Sequence, residues 1–387
     1  MTDIASNHRT ARSGDARMPA SERYMAELLT EAGIRLGGHR PWDIRLNKPG
    51  VAERVFARGN LGLGETYMEG AWDCDRLDEF FHRLLRAGLQ HKVRPARLIL
   101  HMLKARLFNR QTDRRAWQVG EQHYDLGNEF YGAMLDPRMT YTCGYWREAD
   151  NLAEAQEAKL DLICRKLRLE PGMRVLDIGC GWGSFMSYAA EHYGVECVGV
   201  TISEEQTAWA RERYPGLPLE FRLQDYREVD EPFDRVVSLG MFEHVGHKNY
   251  RTFMDVAHRC LKDDGLFLLH TIGSNERSPG SDPWIDKYIF PNGEIPALHQ
   301  VSEAVDGRFV VEDLHNCGAD YDRTLMAWYE NFNHAWPRFR EQLGDRFYRM
   351  WRYYLLSCAG AFRARDLQLW QWVLSRKGLE GGYRRVS

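Results

Sequence analysis

The chain has no apolar run approaching the ~20 residues that a membrane-spanning helix needs, so any contact it makes with a bilayer is at the surface. It has little charge of one sign to spare. Fifty-two Lys and Arg stand against 55 Asp and Glu, a net charge of -3, which gives no global push toward nucleic acid. The eight cysteines (Cys74, Cys143, Cys164, Cys180, Cys197, Cys260, Cys317 and Cys358) contain no CxxC pair and no metal-ligand spacing, so no metal site is expected. The opening MTDIASNHRTARSGDARMPA lacks the apolar core of a secretion signal. Scattered thiols without such a signal read as reduced and cytoplasmic. Internal repeats and low-complexity tracts are also absent.

What is present is a real core: 44% hydrophobic residues beside 28% charged ones, with 12 Trp and 18 Tyr. Such an aromatic load fills large cores, and it also suits a site for apolar or cationic ligands. At 387 residues, one large domain and one smaller one are expected. Residues 1–20 read as a disordered tail, 21–115 as a smaller, mainly helical domain with its linker, and 116–387 as the large domain.

In the smaller domain, Asp43 to Leu46 and Val51 to Phe56 look strand-like, and GNLGLGETYMEG (Gly59 to Gly70) looks like a glycine-punctuated loop. From Phe80 to Arg115 the charge is one-sided. Arg83, Arg86, Lys92, Arg94, Arg97, Lys104 and Arg106 interleave with Phe80, Phe81, Leu84, Leu85, Leu98 and Ile99 at spacings of three and four. This predicts a basic amphipathic helix broken near Pro95. Two readings stay open: a solvated face packed on the next domain, or a surface for anionic lipid. RNA is a weaker third, because no nucleic-acid module accompanies the charges.

The large domain alternates apolar strands with helices. Strands are expected at Arg174–Ile178, Val195–Thr201, Leu219–Leu223, Arg235–Leu239 and Leu266–Thr271, with two more at Phe309–Leu314 and Leu367–Val373. Helices fall between the first five, and another follows Asn151, a good N-cap. That alternation predicts an α/β fold, a parallel doubly wound sheet.

VLDIGCGWG (Val175 to Gly183) ends a buried strand in Asp177 and turns on Gly179, Gly181 and Gly183 into a helix. Glycines there let a ligand approach backbone N–H groups. With its acid ahead of the glycines, the motif resembles the class I S-adenosylmethionine methyltransferases, whose Rossmann-like sheet is seven-stranded. The second strand ends without the acid that usually meets the ribose, leaving Thr201 and Gln206. Gln206 also has capping-box spacing from Ser203, so it serves as ligand, cap or both. Gln224 and Asp225 stand where the adenine amino group is usually read, though Asp225 also suits an ordinary turn.

Glu243 and His270 follow the fourth and fifth strands, at the carboxyl edge where open α/β sheets bind ligands. Here the chain resembles the cyclopropane-fatty-acyl-phospholipid synthases and the related mycolic acid cyclopropane synthases. The resemblance runs from DIRLNKPG to FRARDLQLWQ, through EQHYDLGNEFY, MTYTCGYW, GVTISEEQ, MFEHVGHKNY, LLHTIGS, WIDKYIFPNGEIP and GADYDRTLMAWYENF.

This resemblance implies transfer of a methylene carbon from S-adenosylmethionine to the cis double bond of an acyl chain, with a bicarbonate ion as the base. It implies a bicarbonate cage of Cys143, Glu243, His270, Ile272 through its backbone, and Tyr321, with Tyr141 and Thr142 touching the cofactor. Tyr124 and Trp146 are candidates to steady a passing cation. Cys143 reads alternatively as a small buried hydrophobe. Cys358 is a catalytic candidate by family assignment only, since the chemistry needs no covalent adduct. The resemblance also implies an unsaturated phospholipid substrate, docking on the anionic inner face of the membrane, a homodimer and no nucleic acid. The alternative is another S-adenosylmethionine-dependent C-methyltransferase acting on a lipid or small molecule.

Overall fold

The computed structural model describes residues 18–92, 127–277 and 280–386. Its first part runs α1 (Ala20–Glu31), β1 (Arg45–Leu46), α2 (Val51–Arg58), α3 (Asn60–Met68), β2 (Trp72–Asp73), α4 (Leu77–Arg86) and α5 (Leu89–Lys92). The second adds α6 (Asn128–Met134), α7 (Leu152–Lys166), β3 (Arg174–Ile178), α8 (Ser184–Tyr193), β4 (Glu196–Thr201), α9 (Glu204–Arg213), β5 (Leu219–Leu223), β6 (Phe233–Leu239), α10 (Tyr250–Cys260) and β7 (Leu261–Ser274). It closes with α11 (Pro283–Tyr288), α12 (Leu298–Val305), β8 (Val310–Asn316), α13 (Gly318–Ala364) and β9 (Leu367–Ser375).

The seven-stranded sheet has the order β5-β4-β3-β6-β7-β9-β8. Strands β3 to β7 are parallel, and β9 runs antiparallel between β7 and β8. Apolar residues occupy both faces because helices cover both. Leu176 and Ile178 of β3 pack on one side with α10, and Val175 joins Leu160 and Ile163 of α7 on the other. The expected helix after Asn151 is α7, and the Asn151 side chain accepts the N–H of Glu154.

Two expectations in the first part are corrected. Val51 to Phe56 lies in helix α2, whose inward residues Val51 and Ala52 pack in the helical core. Gly59 to Gly70 is mostly helix α3 rather than loop. Its glycines serve close packing: a Cβ on Gly62 would lie 2.1 Å from the Arg54 carbonyl oxygen, and one on Gly64 would lie 2.4 Å from the Trp284 ring.

Helix α13, 47 residues long, was not anticipated. It is broken at Gly344 (φ 74°): the arm after the break packs on the first part of the chain, where Arg349 donates to the Tyr67 carbonyl and Arg363 to Asp78, and the arm before it packs on α6, where Asn331 donates to the Met134 carbonyl. Trp328, Trp351 and Tyr353 on it are fully buried, each contributing on the order of 2 kcal/mol by area alone. Buried Asp78 of α4 takes 2.7 Å hydrogen bonds from both Arg76 and Arg363. Burial alone would raise its pKa, but the two guanidiniums hold it down at about 2. Gly360 lets α4 cross closely, since a Cβ there would meet the Asp78 carbonyl at 2.6 Å.

The apolar face of α4 is therefore spent inside the protein, Phe80 and Phe81 both being buried. Arg83 stacks 4.2 Å over the Trp42 ring and pairs with Glu79 at 2.8 Å. Of the predicted basic helix, the break inside the described residues falls at Gly88 (φ 67°). Pro95 and the basic residues from Arg94 onward lie outside the described residues, as does Tyr124.

Candidate active site

A cavity of about 200 Å³ opens at the carboxyl ends of β3, β4, β5 and β6. Tyr141, Thr142, Asp177, Gly179, Gly181, Thr201, Gln206, Gln224 and Asp225 all line it. Gly183 does not; it begins α8 at φ 80°, where a Cβ would lie 2.6 Å from the Phe221 ring. Gly179 (φ 84°) brings the β3 turn against the loop after β6, since a Cβ would sit 2.6 Å from Met241.

Asp177 is fully buried with no partner for Oδ1. Burial, opposed by Lys159, lifts its pKa to about 7. Lys159 is equally enclosed on α7, donates to Thr142 Oγ1 at 2.7 Å and is pushed down to about 8 by burial. An orphaned carboxylate oxygen at a glycine turn suits the ammonium of an amino-acid ligand.

At the tip of β4, Ser203 caps α9 by accepting the N–H of Gln206 at 3.3 Å. The Gln206 side chain instead turns to Thr201, accepting its hydroxyl at 3.4 Å. Asp225 lines the cavity and also forms the turn that was its alternative reading, accepting the N–H of Arg227 at 3.0 Å. Burial would raise its pKa, but the paired Arg227 guanidinium keeps it below the usual carboxylate range.

The other predicted residues are not in the wall of this cavity, although Met241 and His244, on either side of Glu243 in the sequence, are. Glu243 lies in a single 3-10 turn, Phe242–His244, after β6. Its Oε1 accepts the Ile272 N–H at 2.6 Å, and its buried Oε2 has no partner. Burial raises its pKa to about 7, against the opposing pull of the Ile272 N–H. The Ile272 amide is thus engaged by Glu243. The turn is braced from outside, where the Glu294 N–H donates to the Glu243 carbonyl at 2.7 Å.

His270 shares its β7 face with Leu266 and Leu268, pointing into the layer under α7. Its Nδ1 lies 3.2 Å from Gln371 Nε2, and its Nε2 is buried without a partner. Tyr321, on the first turn of α13, is buried against Phe362 and Trp328. Burial, then the nearby Cys143, Glu243, Tyr141 and Cys358, push its hydroxyl pKa well up, so it stays an O–H donor.

Cys143 is buried and donates to the Gly144 carbonyl at 3.2 Å; burial raises its pKa far above that of a free thiol. Burial also pushes Cys358 up to about 12. Neither is poised as a thiolate. Trp146 donates to Thr324 at 2.9 Å, and Arg323 stacks 4.5 Å over its ring. Sequence reading missed Lys159, Lys166 and Gln371. Burial alone marks Lys159 and Lys166, and Gln371 closes the FRARDLQLWQ motif without a role having been given to it. Among the described residues, no cluster of His, Cys, Asp or Glu could hold a metal ion.

The sequence profile of the mycolic acid cyclopropane synthetases matches residues 111–372. The chain belongs to this family. It is 56% identical over 363 residues to the cyclopropane-fatty-acyl-phospholipid synthase of Escherichia coli K12, covering 94% of this chain and 95% of that one. The cyclopropane synthase MmaA2 from Mycobacterium tuberculosis superposes with a TM-score of 0.64 at 34% identity, over 67% of this chain and 98% of that one. The mycolic acid cyclopropane synthase CmaA1, solved with SAH and CTAB, gives 0.63 at 34% identity, over the same shares. The family places the chain among the S-adenosylmethionine-dependent methyltransferases and makes it an enzyme, in keeping with its seven-stranded α/β sheet. The E. coli relative matches nearly the whole chain, whereas the family profile begins at residue 111.

Proposed function

We propose that this cyclopropane synthase adds a methylene carbon across the cis double bond of an acyl chain in a membrane phospholipid. The observation that carries this reading is a pair of buried polar atoms without partners, Glu243 Oε2 and His270 Nε2, beside a cavity suited to the cofactor. The name of the E. coli relative supplies the substrate class.

When bound, S-adenosylmethionine supplies an electrophilic methyl carbon. Asp177 would hold its ammonium end, Thr201 and Gln206 its ribose hydroxyls, and Gln224 with Asp225 its adenine, all from the cavity wall. Tyr141 and Thr142 cover the cavity from the loop before α7, with Tyr141 fixed by a 3.0 Å contact to the Tyr354 hydroxyl. Closing a three-membered ring requires a proton to leave the added carbon.

Bicarbonate, if held here as an oxyanion, would supply the base. His270 would hold it from Nε2 and Tyr321 from its O–H, while the unpartnered Glu243 oxygen would accept the ion's own O–H. Cys143 packs beside Tyr321 and keeps water out of this corner. The tilted ring pair of Tyr321 and Phe362, centroids 4.6 Å apart, offers π faces to a transient cation.

Among the described residues no helix is long and apolar enough to cross a membrane. We take the basic stretch through Arg94 and Arg97 as the dock onto anionic lipid at the inner face of the cell membrane, and a homodimer as the working form.

The test is lipid extraction after incubation with isotopically labelled cofactor and vesicles of unsaturated phospholipid. The product should be heavier by one CH₂ and should resist hydrogenation. Glu243→Ala and Tyr321→Phe should still bind cofactor while losing most turnover. Full activity in both would overturn this view of the proton acceptor.

A further inference from the structure

Two fully enclosed side chains, Lys166 and Gln371, the last residue of FRARDLQLWQ, are linked in line to His270. Lys166, on the last turn of α7, places Nζ 2.8 Å from Gln371 Oε1 and 2.9 Å from His315 Nδ1. Gln371, on β9, sits directly opposite His270 of β7 in the antiparallel register, its Nε2 3.2 Å from His270 Nδ1.

Donor and acceptor chemistry then leaves one arrangement. An ammonium only donates, so the Gln371 carbonyl must face Lys166. That turns the amide NH₂ toward the imidazole. An amide NH₂ also only donates, so His270 Nδ1 must accept, and the ring proton belongs on Nε2. Nε2 is the atom left buried without a partner.

We infer that Gln371, oriented by Lys166, is a positioning residue that locks His270 in the Nε2–H tautomer, so that the imidazole presents a hydrogen-bond donor to an oxyanion. This rests on the oxyanion site proposed above and adds the device that sets its polarity. Burial, reinforced by the charges of Lys159 and Lys166, drives the imidazole's pKa well below its ordinary value. The ring is therefore neutral at working pH, and the place of its single proton decides whether it donates or accepts. With a hydrophobic residue at position 371 either tautomer would serve equally.

The test uses the full-length protein with ¹⁵N-labelled histidine, its ring nitrogens observed by NMR without ligand, and His270 assigned by the signals lost in His270→Asn. A neutral Nε2–H ring is expected in the native chain. Gln371→Glu keeps a partner for Lys166 but offers Nδ1 only acceptors. It should move the proton to Nδ1 and lower kcat by about 100-fold, the scale of losing one oxyanion donor, with KM for S-adenosylmethionine unchanged. Lys166→Met frees the amide to flip and should mix the two tautomers.

An Nδ1–H ring in the native chain, or an unchanged spectrum in Gln371→Glu, would overturn the inference. A switched tautomer with full turnover would uphold the lock and count instead against the oxyanion site it serves.

Discussion

Glu243 Oε1 accepts the Ile272 N–H at 2.6 Å, just beyond the point where the Gly240 N–H donates to the His270 carbonyl at 2.9 Å. The side chain extends the parallel ladder past the end of β6, which anchors one carboxylate oxygen and leaves the other unpartnered in a buried site. Gln at this position keeps the accepting oxygen. Glu243→Gln should therefore fold and bind S-adenosylmethionine with unchanged affinity by calorimetry. Its turnover should fall by about 100-fold or more, within the range of general acid–base contributions.

Burial also makes this region pH-sensitive. Glu243 and Asp177 both sit at about 7 in the folded chain, above their ordinary values of 4.5 and 3.8. Between those limits the folded state binds more protons than the unfolded one, so their contribution to stability is lost as pH rises toward 7. Each accounts for roughly 3 to 4 kcal/mol at most. Buried His270 and His244, whose pKa values are lowered, bend the curve the other way at acid pH. The difference between native and variant protein isolates the carboxylates. Urea unfolding of Asp177→Asn and Glu243→Gln without ligand should show a gain over the native chain at pH 8 that shrinks toward pH 5. A constant difference across that range would deny the shifted carboxylates.

Gly62→Ala and Gly64→Ala should each cost about 2 kcal/mol or more, because the added methyl meets backbone or an enclosed indole that cannot give way. Chemical denaturation measures this. A loss below about 0.5 kcal/mol, the ordinary scale of a surface change, would mean that α3 does not pack as described.

Cys358→Ser should keep turnover within a few-fold. Its thiol, held up at about 12, is not a nucleophile at neutral pH, and no covalent step is required of it. A complete loss of activity in a folded variant would reopen a catalytic role.

Vesicle flotation tests the docking surface. Binding to anionic vesicles should weaken as salt rises, and should fall further when Arg86, Arg94 and Arg97 are replaced by Glu. Arg83 is best left intact, since its stacking on Trp42 and pairing with Glu79 hold the helical part together. Salt-insensitive binding, unchanged in the variant, would contradict an electrostatic dock.

The sheet was legible because parallel strands buried on both faces are written as short apolar runs; β3 and β5 fall at the residues expected of them, and the other strands lie within a few residues at most ends. The cavity at the strand ends was legible because its glycines, Asp177 and strand-end polar groups are local in sequence. The helical part was not. In α3 the glycines that usually break a helix admit Arg54 and Trp284, a reason visible only once distant segments meet. In α13, Pro337 and Gly344 interrupt the pattern, and aromatic residues face several neighbours at once. The relay to His270 was hidden for the same reason: Lys166 is separated from Gln371 by 205 residues, and Gln371 from His270 by 101.

The most direct test of the oxyanion site is turnover on unsaturated phospholipid vesicles in carbonate-free buffer, with bicarbonate added back stepwise and Glu243→Gln run in parallel. Native turnover should rise saturably with bicarbonate, and the variant should stay low and unresponsive. Full native turnover without bicarbonate, or an equal response in the variant, would contradict the claim that Glu243 and His270 enclose the base.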